Sequence, residues 1–363
     1  MYTEIIKIIE GGLKSEPQKV VQYARKLAEK FDSDGNGKLA KGIRSVLDSR
    51  GATTLSMEEL LTTAPVDNDT RLSIVDLYNP GDSKMAVVLP ETIERKVADF
   101  IEILENRDRI RSFGLPLQST LLLYGAPGVG KTSIAKFIST QTGLPLVTAR
   151  LDTLISSLLG NTAKNIRKIF EYADSRPCIL FLDEFDAIAK ARDDQHEMGE
   201  LKRVINSLLQ NIDLFAQNNI LIAATNHPEL LDKAIWRRFN NVIEIGQPNI
   251  EGISKLIALY TGDFGREFLA DKRKTERIAH LLSKKTPADI QNIINSTITR
   301  AIIKGKDQIG FEDILIENFQ FDKHGSFTSD EFIKYLDESG VPKLQIADIL
   351  NVSIRQIRNN LKD

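Results

Sequence analysis

The chain has 363 residues, with 48 Lys and Arg against 50 Asp and Glu and a hydrophobic fraction of 42%. A formal net charge of -2 excludes a wholly basic nucleic-acid coat while leaving a local basic patch open, and the apolar share suffices for two or three ordinary domains. One cysteine, Cys178, excludes an internal disulfide; set in an apolar run, it reads as a buried thiol in a reducing compartment.

In chain order, residues 1–70 read as a helical N-terminal region. The segment Met1-Tyr2-Thr3-Glu4 lacks the charged start and apolar stretch of a signal peptide. No window reaches membrane-spanning length, so the expectation is a soluble cytoplasmic protein with no membrane partner. Ile5, Ile6 and Ile9, then Val20, Val21, Ala24, Leu27, Ala28 and Phe31, recur at helical spacing, and Pro17 suits an early helical position. Asp32-Ser33-Asp34-Gly35-Asn36-Gly37 starts like a calcium loop, but Ile43 stands where a bidentate Glu belongs. The segment is therefore read as a turn joining two helices. A polar stretch from Thr62 to Thr70 reads as a linker. Ala86-Val87-Val88-Leu89 reads as a short strand, and Pro90 opens an amphipathic helix.

Residues 71–248 form the predicted α/β subdomain. From about residue 119, short apolar runs at 120–124, 145–149, 178–183, 220–225 and 242–245 alternate with helix-length segments, the pattern of a five-stranded parallel sheet wrapped by helices. Residues 249–320 carry only helical patterns and read as a lid; residues 321–363 form a last helical region. The four histidines show no metal-ligand spacing. Asp193, Asp194 and His196 lie in a polar stretch read as a pore-facing loop or a solvated turn.

Four motifs carry the chemistry, three at strand ends and the fourth between a helix pattern and the last strand. Gly125-Ala126-Pro127-Gly128-Val129-Gly130-Lys131-Thr132 fits G-x-x-x-x-G-K-[ST] between a strand and a helix. Glycines let successive N–H groups face a phosphate, and the helix N-terminus adds its positive end. Lys131 would reach the β- and γ-phosphates, and the Thr132 hydroxyl would ligate magnesium. Cys178 to Glu184 is an apolar strand ending in two carboxylates: Asp183 suits the metal, and Glu184 can polarise an attacking water as a base. Asn226, at the next strand end, can orient that water. Arg237 and Arg238 suit fingers that stabilise the charge of phosphoryl transfer, commonly supplied by a neighbouring subunit; a solvated basic turn is the plainer reading of that pair alone.

These motifs, in this order, resemble the AAA family. GAPGVGKT, FLDEFDAI, ATN and LDKAIWRRF are its marks, the last being similar to the meiotic clade, and Thr286-Pro287-Ala288-Asp289-Ile290 resembles the lid sequence S-G-A-D-I. The resemblance spans about residues 86–320. It implies an α/β P-loop NTPase core with an α-helical lid and a homo-hexameric ring with ATP at subunit interfaces. Pro127, Gly128, Val129, Gly130, Lys131, Thr132 and Ser133 would bind nucleotide. Thr132 and Asp183 would hold Mg2+, Glu184 and Asn226 would serve hydrolysis, and Arg237 and Arg238 would act on the next subunit's ATP. The implied activity is ATP hydrolysis that remodels or regulates a protein partner. The chain departs from the family in two places. Ser157-Leu158-Leu159-Gly160 lacks the aromatic of a substrate-gripping pore loop, and Pro287 replaces the lid glycine. More narrowly, the layout resembles compact bacterial AAA ATPases found beside subtilisin-like proteases, which implies such a protease as partner.

At the C-terminus, Leu344 to Leu361 has the pattern of a helix-turn-helix. Ala347 is small where helices must approach, Asn351 suits a left-handed turn, and Ser353 can cap the second helix. Arg355, Gln356, Arg358 and Asn359 would face outward. The sequence leaves two readings for 340–363: a DNA-binding element, making the chain a nucleotide-controlled DNA-binding regulator, or a helical hairpin for protein contact.

Overall fold

The computed structural model describes residues 5–9, 17–33, 36–46, 64–67, 73–81, 85–151, 159–187, 198–217 and 219–361. It comprises two compact units: Met1–Val87, Ile93–Gly125 and Lys131–Ile245 in one, and Val88–Thr92, Ala126–Gly130 and Gly246–Asp363 in the other. No helix of the described residues is long and apolar enough to cross a membrane.

In the first unit, α1 (Pro17–Ser33) and α2 (Gly37–Val46) pack on each other, and Leu27, Ala28 and Ala40 are buried. Asp34 and Gly35 of the calcium-like stretch lie outside the described residues, as does most of the expected linker. The rest of the unit is built on a six-stranded sheet: β1 (Asp76–Tyr78), β2 (Thr120–Tyr124), β3 (Leu146–Arg150), β4 (Ile179–Asp183), β5 (Ile220–Thr225) and β6 (Asn241–Glu244). The spatial order is β1-β3-β4-β5-β2-β6. All neighbours are parallel except β1 and β3. The helices α3 (Glu91–Glu105), α4 (Arg107–Ser112), α5 (Lys131–Thr142), α6 (Leu159–Asp174), α7 (Met198–Phe215) and α8 (Lys233–Trp236) complete it.

The five parallel strands stand within a residue of their expected bounds, and the central runs, TLLLY and ILIAAT among them, are buried on both faces. Side chains alternate across the sheet. Leu122, Val147, Leu180 and Leu221 join one cluster with Ile166, Ile169 and Phe170 of α6 and Ile205, Leu208 and Ile212 of α7. The sheet differs from expectation at one edge. Ala86 to Leu89 is not a strand; its apolar character is explained by Val88, which packs on the helical core of the second unit. The sixth strand is instead β1, paired antiparallel with β3 and tied to it by Arg150 Nη2 on Asp76 Oδ2 at 3.0 Å. Three residues carry too little alternation to be read from sequence.

The second unit is helical: α9 (Ile250–Thr261), α10 (Arg266–Leu269), α11 (Lys272–Leu281), α12 (Pro287–Ile303), α13 (Phe311–Lys323), α14 (Ser329–Glu338), α15 (Lys343–Leu350) and α16 (Ile354–Asn360). Asn249, Asp271, Thr286, Thr328 and Ser353 each cap a helix through a side-chain oxygen, worth about 1 kcal/mol apiece. One apolar cluster runs from Ile253 to Ile357, and the expected lid boundary at residue 320 falls inside α13.

Candidate nucleotide site

In the order β4-β5-β2-β6, the chain leaves β2 beside β5 and crosses over to build β3 and β4 beyond it. Such a switch point opens a crevice at the carboxyl ends of the strands. The register levels those ends: Tyr124 faces Thr225 across β2 and β5, and Leu182 faces Ala223 across β4 and β5. The residues just beyond, Gly125, Asn226 and Asp183 to Asp186, are therefore neighbours by construction.

Between β2 and α5 the loop uses backbone that glycine tolerates: Gly125 has φ 148, Gly128 φ 80 and Gly130 φ 102. A side chain at Gly125 would strike the Ile245 carbonyl, whose own N–H donates to Tyr124 O at 2.7 Å. A Cβ at Gly128 would lie 2.7 Å from Thr286 Oγ1. Ala288 N donates to Gly128 O at 3.1 Å. Pro127 and Gly128 are exposed and Val129 is buried. Pro287 occupies the first turn of α12, where a missing N–H leaves no helical bond unmade, and Thr286 and Asp289 form a capping box around it.

Lys131, only 7% exposed at the start of α5, donates through Nζ to Gly125 O at 2.8 Å and Asn226 Oδ1 at 2.6 Å. Burial pushes its ammonium below the usual lysine value, while the carboxylates of Asp183 and Asp186 pull it back up. Thr132 Oγ1 donates to Asp183 Oδ2 at 2.9 Å. Ser133 follows, half-buried. Glu184 has φ 54, a left-handed conformation rare outside glycine, and its N–H donates to Asp183 Oδ1 at 2.9 Å. That turn at the tip of β4 presents two successive carboxylates, a strained arrangement of the kind found at functional sites.

The residues fit a magnesium nucleotide. A hydroxyl and a carboxylate at hydrogen-bond distance are the hard oxygen ligands that cation takes alongside substrate phosphates. A buried lysine whose ammonium reaches the Gly125 carbonyl and the Asn226 amide oxygen carries its charge at the strand ends, where an anion would take it up.

Two further residues belong to this architecture. Asp186, 3% exposed, accepts at Oδ1 from Thr225 Oγ1 and Asn226 N, both at 3.1 Å, and so fixes the backbone that carries Asn226. A carboxylate within FLDEFDAI had to find buried donors, and that is the signal that could have singled it out. The second is Asp213 of α7. Arg238 Nη2 donates to Asp213 Oδ2 at 2.9 Å and Nη1 to Ala234 O at 2.6 Å; Nε lies 2.8 Å from Asp213 Oδ1, off-axis for a hydrogen bond. Arg237 is exposed and makes no side-chain bond among the described residues. The structure thus brings together Lys131, Thr132, Asp183 and Asn226, and it separates the paired arginines into one held and one unheld. Ser157 and Leu158 of the expected pore loop, and Asp193, Asp194 and His196, lie outside the described residues; Leu159 and Gly160 open α6.

The family model described as "ATPase family associated with various cellular activities (AAA)" matches residues 121–247, the segment that holds all four motifs. An uncharacterised AAA family ATPase of Sinorhizobium fredii is 35% identical over 290 residues, covering 80% of this chain and 86% of that protein. The ATP-dependent zinc metalloprotease FtsH of Aquifex aeolicus is 33% identical over 232 residues, 62% of this chain but 36% of its own length. A protein of Methanocaldococcus jannaschii named as a 26S proteasome regulatory subunit homologue is 32% identical over 232 residues, 63% of this chain and 61% of its own. With the family model lying over the segment that holds its motifs, and with a relative 35% identical matched over 86% of that protein's length, the chain belongs to the AAA family of ATPases.

Proposed function

We propose that this ATPase binds ATP at the ends of β2, β4 and β5, hydrolyses it to ADP and phosphate within a ring of its own copies, and uses the cycle to remodel a protein. The observation that carries the reading is the paired contact of Lys131 with Asn226 and Thr132 with Asp183, which gathers residues from three separate segments into one cluster. In it, the loop N–H groups of 126–130 and the Lys131 ammonium hold the phosphates. Thr132 and Asp183 hold Mg2+, which neutralises charge on the phosphate oxygens when bound. Glu184 accepts a proton from the attacking water, and Asn226, fixed from behind by Asp186, orients that water. Arg237, exposed and unheld, acts across the subunit boundary; Arg238, clamped to Asp213, positions it.

Ring assembly, as a homo-hexamer, rests on this outward arginine and on the family. Action on a protein draws its support from the relatives named as a protease and a proteasome subunit homologue. Those names say nothing of a subtilisin-like protease.

Glu184→Gln tests the centre of the reading. The amide cannot take a proton, so ATP affinity stays within about twofold while turnover falls by roughly 10²- to 10⁴-fold. Nucleotide binding by fluorescence titration and phosphate release measure the two halves. Unchanged turnover would remove Glu184 from the mechanism.

A further inference from the structure

The last helices of the second unit have no part in that chemistry, and their construction poses a separate question. α15 ends at Asn351, which takes the left-handed conformation (φ 55, ψ 44), and Val352 N returns to Ala347 O at 3.0 Å. Three residues later α16 begins, with Ser353 and Gln356 closing a capping box. α14 packs on both helices. Buried Ile346 and Ala347 of α15 and Ile357 of α16, with Ile354 and Leu361 packed beside them, hold the pair to the core. This is a helix-turn-helix with its angle set by a residue built for the turn and its second helix started by a dedicated cap.

The outward face of α16 is made of Arg355, Gln356, Arg358 and Asn359, all exposed. Arg355, Arg358 and Asn359, with exposed Lys343 on α15, make no side-chain hydrogen bond or ion pair among the described residues. Four other cations of this unit are matched, Lys285 with Asp322, Arg300 with Glu317, Lys306 with Asp313 and Lys323 with Glu331, while α16 gathers two unmatched arginines beside an asparagine on one helix face. Two acids of α14 are engaged elsewhere. Asp330 accepts from Asn360 Nδ2 at 2.9 Å, and Glu331 is held in the α14 capping box and by Lys323. Asp348 is the one carboxylate on the described part of the hairpin.

We infer that this face binds duplex DNA, with α16 entering the major groove. The inference stands apart from the ATPase reading. A helix with its side chains is about 10–12 Å across, which a major groove about 12 Å wide admits, and the seven residues of α16 put Arg355, Arg358 and Asn359 within about one turn of each other. Arginine and asparagine at i, i+3 and i+4 present the donors that read guanine and adenine edges, and Lys343 at the start of α15 is placed for a backbone phosphate. A protein partner fits less well, because the exposed face of α16 has no apolar or aromatic side chain to form the dry centre such an interface needs.

The test uses the full chain and a fluorescently labelled random-sequence duplex of about 25 base pairs, read by anisotropy between about 50 and about 200 mM salt. The wild type binds, with affinity falling steeply as salt rises. Arg355→Gln with Arg358→Gln weakens binding by about 100-fold at intermediate salt and flattens the salt slope by up to about two. The same variant keeps its basal ATP turnover, which separates failure of this proposal from failure of the catalytic one. Duplex RNA of equal length does not compete, since its major groove is too narrow for a helix. If a thermal melt shows the double variant unfolded, Arg358→Gln alone carries the comparison, with about a tenfold loss expected. No binding at the lowest salt, equal binding by the folded variant, or equal competition by RNA would each overturn the assignment.

Discussion

At the strand ends Lys131 lies on Gly125 and Asn226, Thr132 on Asp183, and Asp186 on donors of Thr225 and Asn226. At the α8 turn and on α16, Arg237, Arg355 and Arg358 are exposed with no partner among the described residues. The first arrangement is closed on itself. Its groups are held in place before substrate arrives, so little reorganisation is left for the reaction to do. The second is open. On the readings proposed above, these open charges would meet a partner from outside the chain, a neighbouring copy in one case and a nucleic acid in the other. Partner state, more than residue type, separates the two classes.

Arg237 breaks or sustains that contrast with the largest expected effect. Arg237→Ala leaves ATP binding intact and lowers turnover by about 10³-fold in the assembled protein, the scale of a lost arginine finger. Mixing it with Lys131→Ala subunits restores part of the activity, because intact sites then meet intact arginines. Phosphate release across a titration of the two variants measures this; absence of rescue would place Arg237 in its own subunit's site. Asp186 probes the closed class. Asp186→Ala strands the Thr225 hydroxyl and the Asn226 N–H in a buried place, at about 1–3 kcal/mol of stability. Turnover falls about tenfold as Asn226 loses its support, and Asp186→Asn, which keeps an acceptor, recovers most of the stability. Thermal unfolding and turnover together check it.

Arg238 is the intermediate case, identical in type to its neighbour and opposite in circumstance. Its ion pair with Asp213 is half open to water, so breaking it costs under about 1 kcal/mol. Asp213→Ala and Arg238→Ala therefore match each other, each reducing turnover about tenfold in assembled protein with little change in melting temperature. A loss for Arg238→Ala as deep as for Arg237→Ala, with Asp213→Ala silent, would make both arginines fingers.

Much of this was legible because the local rules and the fold agree. The phosphate loop, the apolar strands and the turn at Asn351 follow from glycine, period and cap signals that act over a few residues. What was not legible depends on pairing across the chain. β1 is too short to show a period and exists because Leu146 to Thr148 offer it an edge. Asp186 and Asp213 look like surface acids until β5 and the α8 turn bring donors to them, 39 and 25 residues away. Arg237 and Arg238 cannot be told apart by any sequence pattern, since only the position of α7 decides which one is held.

Cys178 gives the smallest effect and the cleanest contrast with the open cations, because nothing outside the chain is meant to reach it. It sits just before β4, 5% exposed, with Sγ on Ala173 O, and burial pushes its thiol up to about 12. Near pH 8 the folded thiol therefore stays protonated, whereas an ordinary cysteine is partly ionised. An aromatic disulfide reagent should leave the native protein unlabelled over minutes and react with one equivalent after unfolding in guanidinium. Since this is the chain's single thiol, the slow native rate reads the opening of the sheet alone. Arg355→Gln with Arg358→Gln, lying on a surface that opens without the sheet, leaves that rate unchanged, whereas Asp186→Ala raises it in proportion to the stability lost, by roughly tenfold for each 1.4 kcal/mol. Fast native labelling would mean that β4 is exposed far more often than its burial allows, and the closed character of the strand-end site would fail with it.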